Sequence, residues 1–324
     1  MQNLKTAIIG AGIIGLYLAW KLSETGLSKV TVFEKKEKIG KTTCSGLFSD
    51  RILEFIPESK NLIENKINSV LIHFPRRTVK VNFSRKFFVI NHFQLDNLVA
   101  SLAENSGAEI ILNHPVNKLP EGVNKIIGCD GPNSIVRKSL RLPELDYRLG
   151  ILGFIEKKDY SEYVEVWPFK AGFTQHPFKE RGAGFIWKIP RGAKTEYGTI
   201  GNKEGVRETF EEFLNKNKLK LERVSSAIIP QGFFIPQNSS VTLCGDASGL
   251  TKPWSGGGVI WGLIAAGFLL KNFPDFLKYR NITKKFFLPK IIFSKLIIKI
   301  VYFLGFYFPW FLPRNLKMES DFLL

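Results

Sequence analysis

The feature that most constrains this chain is a glycine-rich turn near its start, Gly10-Ala-Gly12-Ile-Ile-Gly15. The residues before it, Thr6 to Ile9, predict an apolar strand, and the residues after it, Ile13 to Ser23, predict a helix. Because Gly10 and Gly12 have no side chains, the backbone can turn tightly and approach a phosphate group. The helix N-terminus adds unpaired N–H groups and a partial positive charge. The pattern therefore predicts a dinucleotide-binding strand-turn-helix unit.

A second predicted strand, Lys29 to Phe33, ends at an acidic residue, Glu34. A carboxylate at this point can accept hydrogen bonds from ribose hydroxyls and would repel a 2′-phosphate, which disfavours NADP in this site. A glycine turn alone also occurs without a ligand, but the strand, helix and acid together favour a dinucleotide site. The residues expected to contact the dinucleotide here are Gly10, Gly12, Ile14, Gly15 and Glu34.

Two further motifs lie far along the chain, Gly128-Cys-Asp130-Gly131-Pro-Asn-Ser134-Ile-Val-Arg137 and Gly245-Asp246-Ala-Ser-Gly249-Leu-Thr-Lys-Pro253-Trp-Ser-Gly256-Gly257-Gly258. Each alone is a weak pattern. In this order, with the first glycine turn, they indicate one dinucleotide held by three separated loops, and we expect that dinucleotide to be FAD. Asp130 either contacts the cofactor or caps a helix beginning near Asn133, and both alternatives stay open.

The composition is typical of an intracellular enzyme. A chain of 324 residues with 44% hydrophobic residues can form about two domains. The first strand begins close to Met1, so no signal peptide is expected. The cysteines Cys44, Cys129 and Cys244 lack CxxC spacing and predict a reducing cytoplasm rather than a disulfide framework. The four histidines lack metal-ligand spacing, so no metal site is predicted.

The net charge of +17 favours an anionic partner. From Lys278 to Leu324 nine basic and two acidic residues alternate with large apolar ones, and the longest uncharged run, Ile300 to Pro313, has 14 residues. A spanning helix needs about 20 apolar residues. We therefore expect a segment lying on an anionic membrane surface, so that the protein is peripheral on the cytoplasmic face. The alternative is a helical hairpin packed on the protein's own core. No nucleic acid partner is expected, because such a role leaves the glycine motifs unexplained.

The β-rich segments predict a second domain inserted between the cofactor motifs. Alternating residues around Pro75-Arg76-Arg77 predict a hairpin, and 147–236 contains four predicted strands (150–155, 163–168, 183–190 and 196–200) and the helix Val206 to Asn215. The predicted organisation is α/β. It comprises a Rossmann-like FAD-binding domain (1–68, 84–146 and 237–275), an inserted antiparallel β-sheet substrate domain (69–83 and 147–236), and a basic, hydrophobic C-terminal helical segment (276–324).

The three ordered motifs resemble those of the FAD-dependent oxidoreductases of the p-hydroxybenzoate hydroxylase superfamily, over residues 1 to about 270. Two shorter segments narrow the resemblance. Lys41-Thr-Thr-Cys44-Ser-Gly46-Leu47 resembles the cysteine-and-glycine loop of geranylgeranyl reductases. Phe185-Ile-Trp187-Lys-Ile189-Pro190 resembles their aromatic substrate motif. The chain thus resembles a short member of the geranylgeranyl reductase family, with a GR2-type FAD domain.

This resemblance implies an extended FAD held by several loops. Asp246 would meet the ribitol or pyrophosphate, while Gly257 and Gly258 would let backbone N–H groups approach the flavin. The loop residues Cys44, Ser45 and Gly46 would lie beside the cofactor, with Cys44 as either a catalytic proton donor or a residue of the flavin shelf. Relatives commonly have an arginine near the start of the helix that begins here at His92. His92 or Asn91 would replace it in this chain.

The resemblance also implies a reaction, the saturation of prenyl double bonds of isoprenoid membrane lipids by hydride transfer from reduced FAD. In a regular strand Phe185, Trp187 and Ile189 share one face, which could line a lipid tunnel or belong to the ordinary core of the substrate domain. The expected substrate-binding residues are Phe185, Trp187, Ile189, Pro190 and Pro253. An FAD-dependent monooxygenase is the alternative function. The electron donor could be NAD(P)H, an acidic ferredoxin-like protein or another small carrier.

Overall fold

The computed structural model describes residues 4–41, 43–170, 184–319 and 321–322, so 171–183 of the predicted substrate domain, including the first residue of the predicted strand 183–190, lie outside the described residues. In chain order the strands are β1 (Leu4–Ile9), β2 (Ser28–Phe33), β3 (Leu47–Ser49), β4 (Ile63–Phe74), β5 (Arg77–Ile90), β6 (Glu109–Ile111), β7 (Lys125–Gly128), β8 (Asp146–Ile155), β9 (Tyr163–Phe169), β10 (Gly184–Pro190), β11 (Thr195–Gly201), β12 (Glu222–Gln231), β13 (Val241–Leu243) and β14 (Asn315–Met318). The α-helices are α1 (Ile13–Glu24), α2 (Ile52–Phe55), α3 (His92–Asn105), α4 (Ile135–Ser139), α5 (Val206–Lys216), α6 (Val259–Asn272) and α7 (Phe276–Tyr307).

The first layer is a parallel sheet of the Rossmann type, with strand order β13-β7-β1-β2-β6. Its central strand β1 is buried on both faces: Ile8 packs with the helices α1 and α6, while Ala7 and Ile9 belong to a second cluster with Val136 of α4. Parallel strands that are covered on both faces have nearly continuous runs of apolar residues in their sequences, which explains the sequence of β1. The predicted Rossmann-like domain is confirmed.

The second layer is a large curled sheet, in the order β12-β8-β11-β10-β9-β4-β5-β14, with β3 paired to β5. Most neighbours are antiparallel, whereas β4 with β9 and β5 with β14 are parallel. Helix α5 covers one face, where Phe210 packs with Ile151 and Ile186. Because side chains alternate along β10, Phe185, Trp187 and Ile189 lie on the opposite face.

The hairpin is longer than the sequence predicted. Its arms are β4 and β5, twelve and fourteen residues long, and they pass through the predicted domain boundaries at 68/69 and 83/84. Register shifts occur between Ile63 and Asn65 and again between Ile67 and Ser69. A bulge breaks the two-residue alternation of side chains. The half of each arm that lies farther from the turn therefore carries no clear strand pattern in the sequence. Strand β12 was not predicted either.

The C-terminal segment is helical in α7, as predicted, and the chain then adds the short strand β14, which the sequence did not predict. Strand β14 pairs with β5, so that Leu316 lies opposite Val81. The inner face of α7 packs on the protein through Phe276, Tyr279 and Phe287, which are fully buried. In the described part of the chain, no helix is both long and apolar enough to cross a membrane.

Candidate functional site

A single cavity of about 1150 Å³ extends from the carboxyl ends of β1 and β2 to the open face of the large sheet. With the exception of Gly15, Gly46 and Pro190, every residue predicted to bind cofactor or substrate lines it. The carboxyl edge of a parallel sheet is where dinucleotides bind in doubly wound folds. The structure therefore brings the separated motifs together around one space.

The first glycine turn is shaped by close backbone packing. Gly10 has φ +104°, and a Cβ atom there would lie 2.5 Å from the carbonyl oxygen of Cys129. A Cβ at Gly15 would lie 2.1 Å from the carbonyl oxygen of Gly10, so Gly15 allows α1 to approach β1 rather than lining the cavity. At Gly12 a Cβ would meet nothing within 4 Å, and no described side chain caps the α1 N-terminus there. Free N–H groups thus face open space, as a pyrophosphate requires.

Glu34 follows β2 and is buried beside this turn. Its Oε2 accepts a 2.8 Å hydrogen bond from the Ala11 amide, and its Oε1 accepts a 3.0 Å bond from the Lys36 amide. Each carboxylate oxygen has a second acceptor position. The two amides therefore orient Glu34 while leaving capacity for ribose hydroxyls, which fits an adenosine half at this end of the cavity.

Asp130 has the capping role that the sequence left open, and its second oxygen lies in the cavity wall. Its Oδ2 accepts hydrogen bonds of 2.6 Å from the Ile135 amide and 3.3 Å from the Val136 amide, so it caps helix α4. Its Oδ1 is buried in the cavity wall with no hydrogen-bond partner among the described residues. Burial raises the pKa of this carboxyl, although the hydrogen bonds to it oppose the shift. The orphaned oxygen fits a hydrogen-bond donor from a bound cofactor.

The late glycine motif forms a second helix N-terminus in the same cavity. Helix α6 starts after Gly258 without a side-chain cap from the described residues. A Cβ added at Gly258 would lie 2.6 Å from Asp246 Oδ1, whereas a Cβ added at Gly257 would lie no closer than 3.4 Å to another residue outside its chain neighbours. The Lys41 ammonium lies 3.8 Å from Asp246 Oδ2. Two uncapped helix ends with nearby carboxylates suit a ligand that carries both phosphates and hydroxyls, and FAD is such a ligand.

Cys44 lies half-buried in the cavity wall, where the Gly46 amide lies 3.4 Å from its sulfur. Burial raises the thiol pKa, but the His92 imidazole, the Lys41 ammonium and the Gly46 amide together lower it to about 7. For His92, burial acts to lower the imidazole pKa, but the charges of Cys44 and Asp96 raise it to about 10. His92 Nε2 is 3.3 Å from Asp96 Oδ1, and the Lys41 amide donates to Asp96 Oδ2. The predicted cofactor residue His92 thus also belongs to a thiol–imidazole–carboxylate row.

The loop of Cys44 is held to the large sheet by Arg191, which the sequence reasoning missed. Arg191 is 5% exposed and donates a 2.6 Å hydrogen bond to the carbonyl oxygen of Ser45. It also pairs at 2.8 Å with both Glu64 and Glu196. Gly46 lets the loop pack closely on β5, because a Cβ there would lie 2.0 Å from the carbonyl oxygen of Ile90. Arg191 directly follows Pro190, which lies outside the cavity lining and accepts a hydrogen bond from Asn65.

Glu196 is fully buried and was also missed. Its Oε1 accepts a 2.9 Å hydrogen bond from Trp187 Nε1, and its Oε2 pairs with Arg191. Burial raises the pKa of this carboxyl to about 7, with a further contribution from Cys44, while Arg191 and Trp187 act in the opposite direction. One signal in the sequence could have indicated a buried, paired Glu196: it is an acidic residue within a strand whose other residues are mostly buried.

Trp187 forms part of an apolar wall across three strands. It lies opposite Val166 of β9, which lies opposite Ile72 of β4. A Cβ at Gly198 would lie 2.2 Å from the Trp187 ring, so this glycine makes room for the indole. All of these side chains except the glycine line the cavity. The wall is therefore wide enough to meet a long apolar chain.

The residues after β14 are anchored by Asp321, another residue that the sequence did not predict. Asp321 is fully buried, and its carboxylate lies 2.5 Å from both Arg51 Nη1 and Lys252 Nζ. It also accepts a 2.6 Å hydrogen bond from Ser49. Lys252 lines the cavity next to Pro253, whose carbonyl oxygen accepts from Arg148. The tail thus connects the late glycine motif to β3.

Comparison with known proteins supports this assignment of fold. Residues 8–48 match the family model of an NAD(P)-binding Rossmann-like domain. An uncharacterized protein of Methanosarcina barkeri is 23% identical over 100% of this chain and 88% of its own length. A geranylgeranyl bacteriochlorophyll reductase-like protein from Thermoplasma acidophilum superposes with a TM-score of 0.67 at 18% identity, covering 93% of this chain and 84% of that one.

Halogenases have similar structures as well. The tryptophan 6-halogenase of Streptomyces toxytricini gives a TM-score of 0.72 at 14% identity, over 94% of this chain and 80% of that one. A variant of the halogenase PltM in complex with FAD gives 0.68 at 13% identity, over 94% and 77%. The chain therefore has the Rossmann-like fold of the FAD-dependent oxidoreductases, and its resemblance to the geranylgeranyl reductases is confirmed at the level of the fold.

Proposed function

We propose that this protein is an FAD-dependent reductase that saturates prenyl double bonds of isoprenoid lipids. The observation that carries the proposal is the continuity of the cavity: the glycine motifs line one part, and the apolar wall around Trp187 lines the other. A polar dinucleotide and a long hydrocarbon chain would therefore lie in one space, with the Cys44 loop beside both.

Residues of the glycine motifs would hold the cofactor. The α1 and α6 N-termini offer N–H groups to its phosphate and flavin parts, and Glu34 offers acceptors to its ribose. Asp130 and Asp246 would accept from hydroxyls. Bound FAD in its reduced form supplies a hydride. We also propose that the electrons come from NAD(P)H, an acidic ferredoxin-like protein or another small carrier.

Cys44 would supply the proton that accompanies the hydride. An isolated alkene accepts hydride poorly, so a well-positioned acid is needed in the transition state. The lowered pKa of the Cys44 thiol lets it release its proton more readily than an ordinary cysteine. The neighbouring His92, whose pKa the charges of Cys44 and Asp96 raise, can return a proton to the sulfur. Asp96 would hold the imidazole in place.

The apolar wall would hold the prenyl chain without polar anchors. Burial of hydrocarbon stabilises by about 0.8 kcal/mol per methylene group, so an apolar surface is sufficient for a chain of this kind. Phe185, Trp187 and Ile189 share the cavity face of β10, as expected for alternate residues of a strand. Pro253, within the late glycine motif, lines the same cavity.

The similarity to halogenases favours a second candidate, an FAD-dependent monooxygenase-type reaction that consumes oxygen. The two candidates differ in what they add to the substrate. A reductase adds hydrogen and works without oxygen, whereas the alternative adds oxygen and depends on it.

The test is anaerobic turnover. The FAD-loaded protein is reduced chemically and incubated with a panel of prenyl lipids, and products are read by mass. Gains of hydrogen pairs support the proposal, while products that appear only in air and carry oxygen overturn it. Cys44→Ala is expected to lower the rate by about 100-fold. Cys244→Ser is the matched control, because burial raises the pKa of that thiol to about 12.

A further inference from the structure

We propose that the exposed face of α7 and the turn after it dock on an anionic lipid bilayer, and that the cavity receives its lipid directly from that bilayer. The entry step rests on the proposed function, whereas the docking step does not. The surface, called here the α7 face, consists of Lys278, Lys285, Ile292, Leu296, Lys299, Phe303, Tyr307, Trp310 and Phe311.

Large apolar side chains are concentrated on this face. Ten of the nineteen exposed large apolar residues in the described part of the chain lie within 277–311, and six of these ten belong to the α7 face. Ile292 is 67% exposed, Leu296 56% and Phe303 52%. Spacings of three, four and seven residues place them on one side of the helix, opposite the buried Phe287 and Ile291. The short helical turn that follows adds Trp310 and Phe311, which are 59% and 69% exposed.

The charges on the same face select an anionic partner. Lys278, Lys285 and Lys299 are exposed at positions in line with the apolar residues. The sequence from 276 to 318 contains no acidic residue. Apolar residues flanked by lysines are typical of helices that lie in the headgroup region of a membrane. A second copy of the chain would bring these lysines against each other, so a symmetric dimer through this face is disfavoured.

The cavity opens beside the α7 face. Lys295 and Lys299 are exposed and also line the cavity, together with Ile298 and Tyr302 deeper on the helix. Lys295 lies one helical turn before Lys299, between the buried side of α7 and the stripe of Ile292 and Leu296. A lipid could therefore move from a bilayer under the stripe into the cavity without its chain crossing water.

The docking step is tested by flotation with vesicles, without substrate. The FAD-loaded protein is expected to float with vesicles of phosphatidylglycerol and phosphatidylcholine and not with phosphatidylcholine alone, and salt should weaken the binding. The double variant Ile292→Asp/Leu296→Asp should bind more weakly by about 100-fold, because apolar burial in the interface is replaced by charge repulsion. Lys278→Glu and Lys285→Glu should each weaken it by about fivefold.

Matched controls carry the same change elsewhere. Tyr160 and Val224 are 66% and 57% exposed and lie outside α7, so Tyr160→Asp and Val224→Asp should float like the unaltered protein. The docking proposal is overturned if the protein does not float with anionic vesicles, or if the α7 variants bind these vesicles as strongly as the unaltered protein does. It is also overturned if sedimentation shows a dimer that the α7 variants convert to monomers, because a second copy would then cover the face.

The entry step is tested by turnover of one prenyl lipid in two forms. With lipid in detergent micelles, the Ile292→Asp/Leu296→Asp variant should have the same turnover rate as the unaltered protein. With lipid in vesicles, the variant should lose most of its turnover rate. Equal loss in both forms, or full turnover in vesicles despite failed flotation, would refute direct entry. If the proposed function is wrong, the unaltered protein turns over neither form while its flotation is preserved, which separates the two failures.

Discussion

The Trp187 indole donates a 2.9 Å hydrogen bond to Glu196, a fully buried carboxylate of β11. Through Arg191 the same carboxylate is connected to the carbonyl oxygen of Ser45, next to Cys44. The substrate wall and the cysteine loop are therefore positioned by one buried polar network. Such networks are costly to leave incomplete, so each member can be tested by substitution.

Removal of the Glu196 carboxylate should destabilise the fold. Glu196→Leu leaves the Arg191 guanidinium and the indole N–H without this acceptor and is expected to lower the free energy of unfolding by about 3 kcal/mol, measured by urea denaturation. Glu64→Gln is the control, because Glu64 pairs with the same arginine but is half-buried. We expect its effect to be below about 1 kcal/mol. Equal effects of the two changes would contradict a central role for Glu196.

The pH dependence of stability should also report on Glu196. Burial raises its pKa from 4.5 to about 7 in the folded state, so between these values the folded protein binds the proton more tightly than the unfolded chain. Stability contributed by this group is therefore present below pH 4.5 and is lost as the pH rises through about 7. Compared with Glu196→Gln, the unaltered protein should lose free energy of unfolding over this range. A constant difference between the two proteins would show that the carboxyl titrates normally.

Cys44 should be the reactive thiol of the chain. Its pKa of about 7 means that alkylation by iodoacetamide should reach half of its maximal rate near neutral pH. Burial raises the Cys244 pKa to about 12 and the Cys129 pKa well above its usual range, so these two should react slowly. Site-resolved mass spectrometry measures all three rates. In His92→Gln the midpoint for Cys44 should move upward, and an unchanged midpoint would exclude the imidazole as the cause.

Gly12→Ala should separate cofactor binding from folding. Because a Cβ at this position meets no protein atom within 4 Å, the variant should unfold at the same urea concentration as the unaltered chain. The methyl group would occupy space facing the cavity, so the affinity for FAD should fall by about tenfold, a loss of about 1.4 kcal/mol. Gly267→Ala, in α6 and equally free of contacts, should keep full affinity. Flavin fluorescence titration measures both.

Asp321 should hold the C-terminus in place. Asp321→Ala leaves Lys252, which is 6% exposed, without its carboxylate, and we expect a loss of about 3 kcal/mol in the free energy of unfolding. The control is Glu121→Ala, which removes the exposed pair with Lys118 and should change stability by less than about 0.5 kcal/mol. Similar values for the two variants, measured by denaturation, would show that the tail contributes little to the fold.

The local elements of the site were predictable because their causes are local. The glycine turn requires a positive φ at Gly10 and open space at Gly12, and only glycine meets both demands at low cost. The strand of Trp187 followed from its β-rich run of residues, and α5 from its amphipathic helical pattern. The parts of β4 and β5 that lie farther from the hairpin turn were missed, because bulges interrupt the alternation of side chains there. The roles of Cys44 and His92 at the cofactor remain predictions.

The sequence by itself determined the Rossmann-like start, the order of the cofactor motifs and the basic, apolar character of the C-terminal helix. Only the tertiary structure decided which charges meet. Arg191 reaches Ser45 across 146 residues of sequence, and Lys252 reaches Asp321 across 69. The physical reason is that a buried charge persists only beside a partner, and the partner is chosen by sheet register and by the path of the tail, neither of which leaves a periodic signal in the sequence.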